Sequence, residues 1–261
     1  MTLRLVLCGC LILGCGKKQA TDDETAPASD YSALELTNGG TVEGTVTASA
    51  SAPQSVATIG ISKDQDACGT THPNVGAIVP PNVSGAIVYI ERLPKGKPFE
   101  ASHDVTIDQH QCEFVPHLST VTPRSRIVMS NSDPALHNFH FMRRNESVMN
   151  EAQPPGAPPR EVKLSKSGVY KVFCDVHPWM RGFVFVAQNP YYAVTGTDGK
   201  FSISNVPPGV YLLKVFRDNW NVEMPRSGER ITEYKWGQSF EKEQTVTVAP
   251  HENATVNFVL P

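Results

Sequence analysis

Cys174-Asp-Val-His177-Pro-Trp-Met180 decides the fold when it is read together with Asn131-Ser-Asp-Pro-Ala-Leu-His137-Asn138. The first stretch is a Cys-x2-His-x2-Met loop. It follows Gly168-Val-Tyr-Lys-Val-Phe173 and precedes Gly182-Phe-Val-Phe-Val186, two runs with strand composition. A strand ending at Cys174 and a short loop can set three side chains on one side of an ion. The fourth must come from a neighbouring strand end, and His137 follows the apolar run Arg126-Ile-Val-Met-Ser-Asn131. Pro178 stiffens the loop. A thiolate, two imidazoles and a thioether are together a donor set for copper: the first three lie in a plane around the ion and the thioether binds weakly above it.

Each of these residues alone is weak. A lone Cys is often a small buried hydrophobe, and a lone Met or His is more often packing than a ligand. Their order and softness in combination carry the assignment of one copper ion to His137, Cys174, His177 and Met180. Zinc is the alternative metal, but its structural sites favour several cysteines or Cys2His2. A cysteine nucleophile with a histidine base is another alternative, and no oxyanion or substrate-pocket signature accompanies Cys174. His140 competes with His137 but lies three residues on, on the opposite face of a strand. His110 and His117 flank Cys112 and read as polar loop residues. Asp175 and Trp179 read as loop surface, with Trp179 available as an apolar docking patch beside an exposed edge of His177.

Outward from the loop the chain is a succession of short strands with turn residues between them, and the fold class it predicts is all-β. Twenty-one prolines, nineteen glycines and many Val/Ile/Thr/Phe runs favour this over long helices. Val105-Thr-Ile107, Cys112-Glu-Phe114-Val-Pro116, Ser119-Thr-Val121, His137-Asn-Phe139-His-Phe141 and Glu161-Val-Lys-Leu164 belong to one series. After Asn189-Pro190 a second series begins, with a tight-turn signal at Thr197-Asp-Gly199-Lys and strands at Tyr211–Val215, Gln244–Val248 and Ala254–Val259. Gly39–Ala48 and Ser84–Arg92 read as strands, and the polar stretch between them, with Asp64, Asp66, Cys68 and His72, reads as a long loop pinned by Cys68.

The Cys174–Met180 loop resembles that of the type 1 copper proteins, the cupredoxins, with a spacing most like that of the amicyanins and pseudoazurins. Phe114-Val-Pro116 is similar to an early strand of the same family, and His137-Asn138 to its first ligand and the residue after it. The resemblance implies a Greek-key sandwich over 101–190, with the Asn138 backbone N–H donating to the Cys174 sulfur. Thr197-Asp-Gly-Lys-Phe201 and Val206-Pro-Pro-Gly-Val-Tyr211 resemble the carboxypeptidase regulatory-like, or transthyretin-like, sandwich. That family also has early strands like Gly44-Thr-Val46 and Gly85-Ala-Ile-Val88, which here precede the copper segment. The predicted layout is therefore one discontinuous sandwich, 36–98 with 191–261, into which 101–190 is inserted. Two sequential domains are the rival layout.

Six cysteines bound the compartment. Cys8 and Cys10 fall in the N-terminal apolar run, Leu5 to Gly14, which is too short to span a bilayer and reads as a signal peptide over 1–14. Leu11-Ile-Leu-Gly14-Cys15 resembles a bacterial lipoprotein signal, with Cys15 as the lipidated residue. An ordinary secretory signal is the alternative, and either places the protein outside the cytoplasm. Residues 15–35 read as a flexible tether. Of the remaining Cys68, Cys112 and Cys174, the simplest arrangement pairs Cys68 with Cys112 and leaves Cys174 to a metal. Charge is nearly balanced at −3, with no basic patch for nucleic acid. The expectation is a membrane-tethered one-electron carrier serving extracytoplasmic redox partner proteins. A copper-handling or adhesion lipoprotein is the second reading. An enzyme is disfavoured, because four protein ligands leave no open position for substrate.

Overall fold

The computed structural model describes residues 31–52, 56–101, 104–123 and 125–261. The signal segment, Cys15 and most of the tether lie outside these residues. The described chain is all-β apart from one helical turn, Gln65–Cys68. Strand formation follows the two-residue period. In Gly40–Ala48, for example, Val42, Val46 and Ala48 turn inward and are buried.

Two sandwiches result. The first has a four-stranded sheet in the order Arg160–Val162, Ile127–Asn131, Val105–His110, Glu113–Val115. It faces a five-stranded sheet in the order Glu146–Gln153, His137–Arg143, Gly168–Phe173, Arg181–Val186, Leu118–Val121. Ile107, Phe114, Ile127 and Met129 of one sheet and Phe139, Phe141, Tyr170 and Val172 of the other share one buried core. Every ladder between residues 105 and 186 has its partner within that range.

The second sandwich draws strands from both sides of this segment. Gly40–Ala48 pairs with Lys200–Val206, and Ile87–Ile90 lies between Tyr192–Val194 and Gly209–Arg217, with Phe240–Val248 beyond. Asn253–Thr255 and Phe258–Leu260 run parallel to Gly40–Ala48. Val42, Val46, Val88, Phe201, Leu213, Val215 and Phe258 fill its core.

One local reading gains detail and one changes. The Thr197–Lys200 turn lies between two strands as read, Tyr192–Val194 and Lys200–Val206, and these belong to different sheets. It is a corner, and Gly199 (φ 73°) is required there: a Cβ would sit 2.6 Å from the Val46 carbonyl oxygen. The stretch around Cys68 is not a plain loop. Thr58–Gly60 and Thr71–Pro73 form a short hairpin, with the helical turn between them. Although it lies between strands of the second sandwich in sequence, Ile59, Ile61 and Cys68 are buried in the core of the first. A Cys68–Cys112 disulfide fastens it there, with Cα atoms 5.4 Å apart.

Candidate metal centre

The site is built at one end of the first sandwich. Gly168–Phe173 and Arg181–Val186 are antiparallel neighbours, with Phe173 opposite Arg181, so residues 174–180 form the loop joining them. The loop closes on itself: Cys174 N–H donates to Met180 O (3.3 Å) and Met180 N–H to His177 O (2.9 Å). His137 opens the adjacent strand, His137–Arg143. Rigid strand ends thus carry the residues that flank the loop.

His137, Cys174 and His177 converge. Cys174 Sγ lies 3.8 Å from Nδ1 of each histidine, and the two Nδ1 atoms are 2.8 Å apart. A triangle with these sides has a point about 2.0 Å from all three corners, close to the metal–nitrogen and metal–sulfur bond lengths of protein sites. Both histidines are fully buried and Cys174 is 2% exposed. Met180, at the end of the loop, is buried in the same core cluster as Cys174. Cys112, Asp133 and His137 also lie together, but the Cys112 sulfur is committed to the disulfide.

The tautomers favour a cation at the centre of the triangle. His137 Nε2 faces Asp133 Oδ2 and His177 Nε2 faces Asp64 Oδ2, each at 2.9 Å. An ionised carboxylate only accepts, so each Nε2 carries the hydrogen and donates it. The two Nδ1 lone pairs then point at each other across 2.8 Å and toward a sulfur, an arrangement that a positive charge between them stabilises. A proton on Nδ1 is such a positive charge, and it donates to the sulfur: burial works against ionising Cys174, but hydrogen bonds from Nδ1–H groups of His137 and His177 and from the backbone N–H of Asn138 outweigh it and bring the thiol down to about 6. Burial likewise opposes a charge on His137, yet Asp133 and Cys174 on either side raise its pKa to about 9. One thiolate and two imidazoles fit copper better than zinc, which more often takes further thiolates.

The surroundings explain how the loop is held. Asn138 does more than lend its backbone. Its Oδ1 accepts from the Asp175 backbone N–H (2.7 Å), and its Nδ2 donates to Asp175 Oδ2 (2.9 Å) and Asn150 Oδ1 (2.7 Å). Asn131 organises the turn before His137: its Oδ1 accepts from Asp133 N–H (3.0 Å) and its Nδ2 donates to Ala135 O (3.0 Å).

Several expectations are corrected here. Trp179 is not loop surface: it is 3% exposed, donates from Nε1 to Cys112 O (3.1 Å), and lies against His177 and Tyr234 with ring centroids 4.9 and 5.7 Å away. It offers no docking patch, and His177 has no exposed edge. His117 is a loop residue as read, between Glu113–Val115 and Leu118–Val121, and a partly buried one: its Nε2 meets the buried Asp218 at 3.1 Å, with no contact to the triangle. His140 stays outside the site, between Asp175 and Ser147. Asp64 and Asp133 were not singled out as site residues by the sequence. Asp133 stood in the decisive stretch without a signal of its own, and Asp64 stood in a polar run far upstream.

No family model matches the chain, and neither does any curated protein. Among solved structures, a purple cupredoxin from Nitrosopumilus maritimus is 22% identical over 32% of this chain and 100% of its own, with a TM-score of 0.29. Amicyanin from Paracoccus versutus is 19% identical over 38% of this chain and 97% of its own, with a TM-score of 0.30. A copper-containing nitrite reductase from Thermus scotoductus is 17% identical over 38% of this chain but only 25% of its own, again with a TM-score of 0.30.

Proposed function

We propose that this protein is an extracytoplasmic one-electron carrier with a single copper ion held by His137, Cys174 and His177, and by Met180 as a weaker fourth ligand. The observation that carries the reading is the convergence of one thiol sulfur and two Nδ1 atoms on a common point in a buried pocket. When bound, copper would supply a Cu(I)/Cu(II) couple. The chain's part is to keep that couple fast and contained. Strand ends fix the donors, so little has to move when charge changes. Asn138 holds the start of the loop and shares the thiolate charge through its backbone N–H. The aromatic wall of Trp179 excludes water from the His177 side.

The signal at Leu11–Cys15 supports secretion and a lipid anchor at Cys15, and the tether supports reach from the membrane toward redox partner proteins. No helix among the described residues is long and apolar enough to cross a membrane. Full burial of both histidines also suits a second reading, copper retention without turnover. The test is the visible spectrum of the chain from Lys17 onward during Cu(II) titration, beside Cys174→Ser. An intense thiolate-to-copper band that the variant lacks supports the site. A spectrum indifferent to Cys174 overturns it. Reversible voltammetry then separates carrier from store.

A further inference from the structure

His177 uses both ring nitrogens. Nδ1 faces the triangle, and Nε2 meets Asp64. Asp64 comes from the hairpin segment at 58–73, not from the sandwich that carries the other site residues. It adopts a left-handed backbone (φ 51°, ψ 40°) directly before the helical turn, a conformation that costs energy away from glycine unless the surroundings fix it. The surroundings do: Cys68 N–H donates to Asp64 O (2.8 Å), and Cys68 is bridged to Cys112.

The chain of contacts continues past the disulfide. Cys112 N–H donates to Asp133 Oδ2 and Gln111 N–H to Asp133 Oδ1, both at 2.7 Å, and Asp133 Oδ2 accepts from His137 Nε2. Each histidine therefore has a carboxylate behind it, and the two carboxylates are joined through the Cys68–Cys112 bridge. We propose that Asp64 is a positioning residue for the metal centre: carried across from outside the copper-binding sandwich, it fixes the tautomer and orientation of His177, while the disulfide holds it against Asp133's half of the same brace. A carboxylate behind a ligating imidazole locks the ring and raises the basicity of its other nitrogen. Exposure fits this role. The His177 side chain is fully buried while that of Asp64 is 44% exposed, so Asp64 is where the ligand ring meets solvent.

The consequence for copper rests on the function proposed above, but the brace itself does not, and two measurements on the full chain keep them apart. The first needs no metal: nitrogen-15 NMR of the imidazoles. His177 should be the Nε2–H tautomer in the parent protein and lose that single form in Asp64→Ala. An Nδ1–H form in the parent, or no change on substitution, overturns the proposal. The second is competition titration with copper. Asp64→Asn should bind about 10–100-fold more weakly, with Asp66→Asn on the same helical turn matching the parent. Equal affinity in Asp64→Asn and the parent overturns it. If the parent shows the held tautomer yet takes up no copper, the brace stands and the copper reading falls.

Discussion

At the scale of single residues, the metal centre depends as much on acceptors as on donors. Asp133 is the clearest case. Its carboxylate is nearly buried yet has three donors, from His137, Gln111 and Cys112, and these hold it below the usual carboxylate range although burial alone would raise it. Asp133→Asn keeps the shape but replaces one acceptor oxygen with an NH2 that faces donors. The expected result is copper affinity lowered about 10–100-fold and stability lowered by about 1–3 kcal/mol, read by competition titration and by urea unfolding of the copper-free protein. Unchanged affinity would remove Asp133 from the site. The three residues whose donor atoms converge were legible in the sequence because Cys174 and His177 share one loop and His137 has a companion, Asn138, that belongs to the same pattern. Asp64 was not legible. It lies 113 residues from His177, and only the packing of the 58–73 hairpin brings them together. Trp179 misled for a related reason: a loop position suggests exposure, but Tyr234 and the Cys112 carbonyl enclose it from distant parts of the chain.

At the scale of elements, strand composition was readable and strand partnership was not. The Thr197–Lys200 turn has hairpin chemistry, yet a turn fixes a change of direction without fixing the sheet that receives the next strand. The 58–73 segment shows the same limit, since counting the remaining cysteines suggested the pairing but not the short hairpin around it. That pairing closes a 44-residue separation, for which chain entropy gives about 4 kcal/mol of stabilisation. A Cys68→Ala, Cys112→Ala double variant should lose about that much in denaturant titration. A loss near zero would mean that the unfolded chain is already held compact there. Next to the bridge, Glu113 begins the strand Glu113–Val115, and its Oε1 lies 3.9 Å from His72 Nδ1. Burial lifts its carboxyl from 4.5 to about 7. A raised carboxyl binds a proton in the folded state that the unfolded state has released. Its contribution is complete below pH 4.5 and disappears as pH climbs to about 7. Glu113→Gln, which cannot ionise, should therefore gain melting temperature relative to the parent across that interval and hold a constant difference above it. Parallel melting curves from pH 4 to 8 would rule the assignment out.

At the scale of the whole molecule, two sandwiches have to behave as one. Phe183 and Phe185 on a strand of the first, with Ala187 just past its end, pack on Ile87 and Phe216 of the second, in a core separate from either sandwich's own. Beside this apolar joint lies a charged one. Asp218, 6% exposed, meets Arg181 (3.1 Å) from the first sandwich and Arg217 from the second, and it accepts from His117 Nε2. Arg181 also lies over the Trp236 ring, 3.4 Å from its centre. Burial, and then the two arginines, push the pKa of His117 down to about 3, so it serves the cluster as a neutral donor. Arg181 directly follows Met180, so the charged joint begins where the 174–180 loop ends. Removing one partner of a buried pair leaves the others without compensation, at a cost of about 3–5 kcal/mol. The native protein should melt in one calorimetric transition, because the apolar and charged joints together couple the halves. Asp218→Ala should split it into two. On the proposed function, copper bound at the His137–Cys174–His177 triangle should then raise one transition and leave the other where it was. If the variant still melts as a unit and copper moves the whole endotherm, the coupling resides in the phenylalanine joint, and Phe185→Ala becomes the substitution that separates the halves.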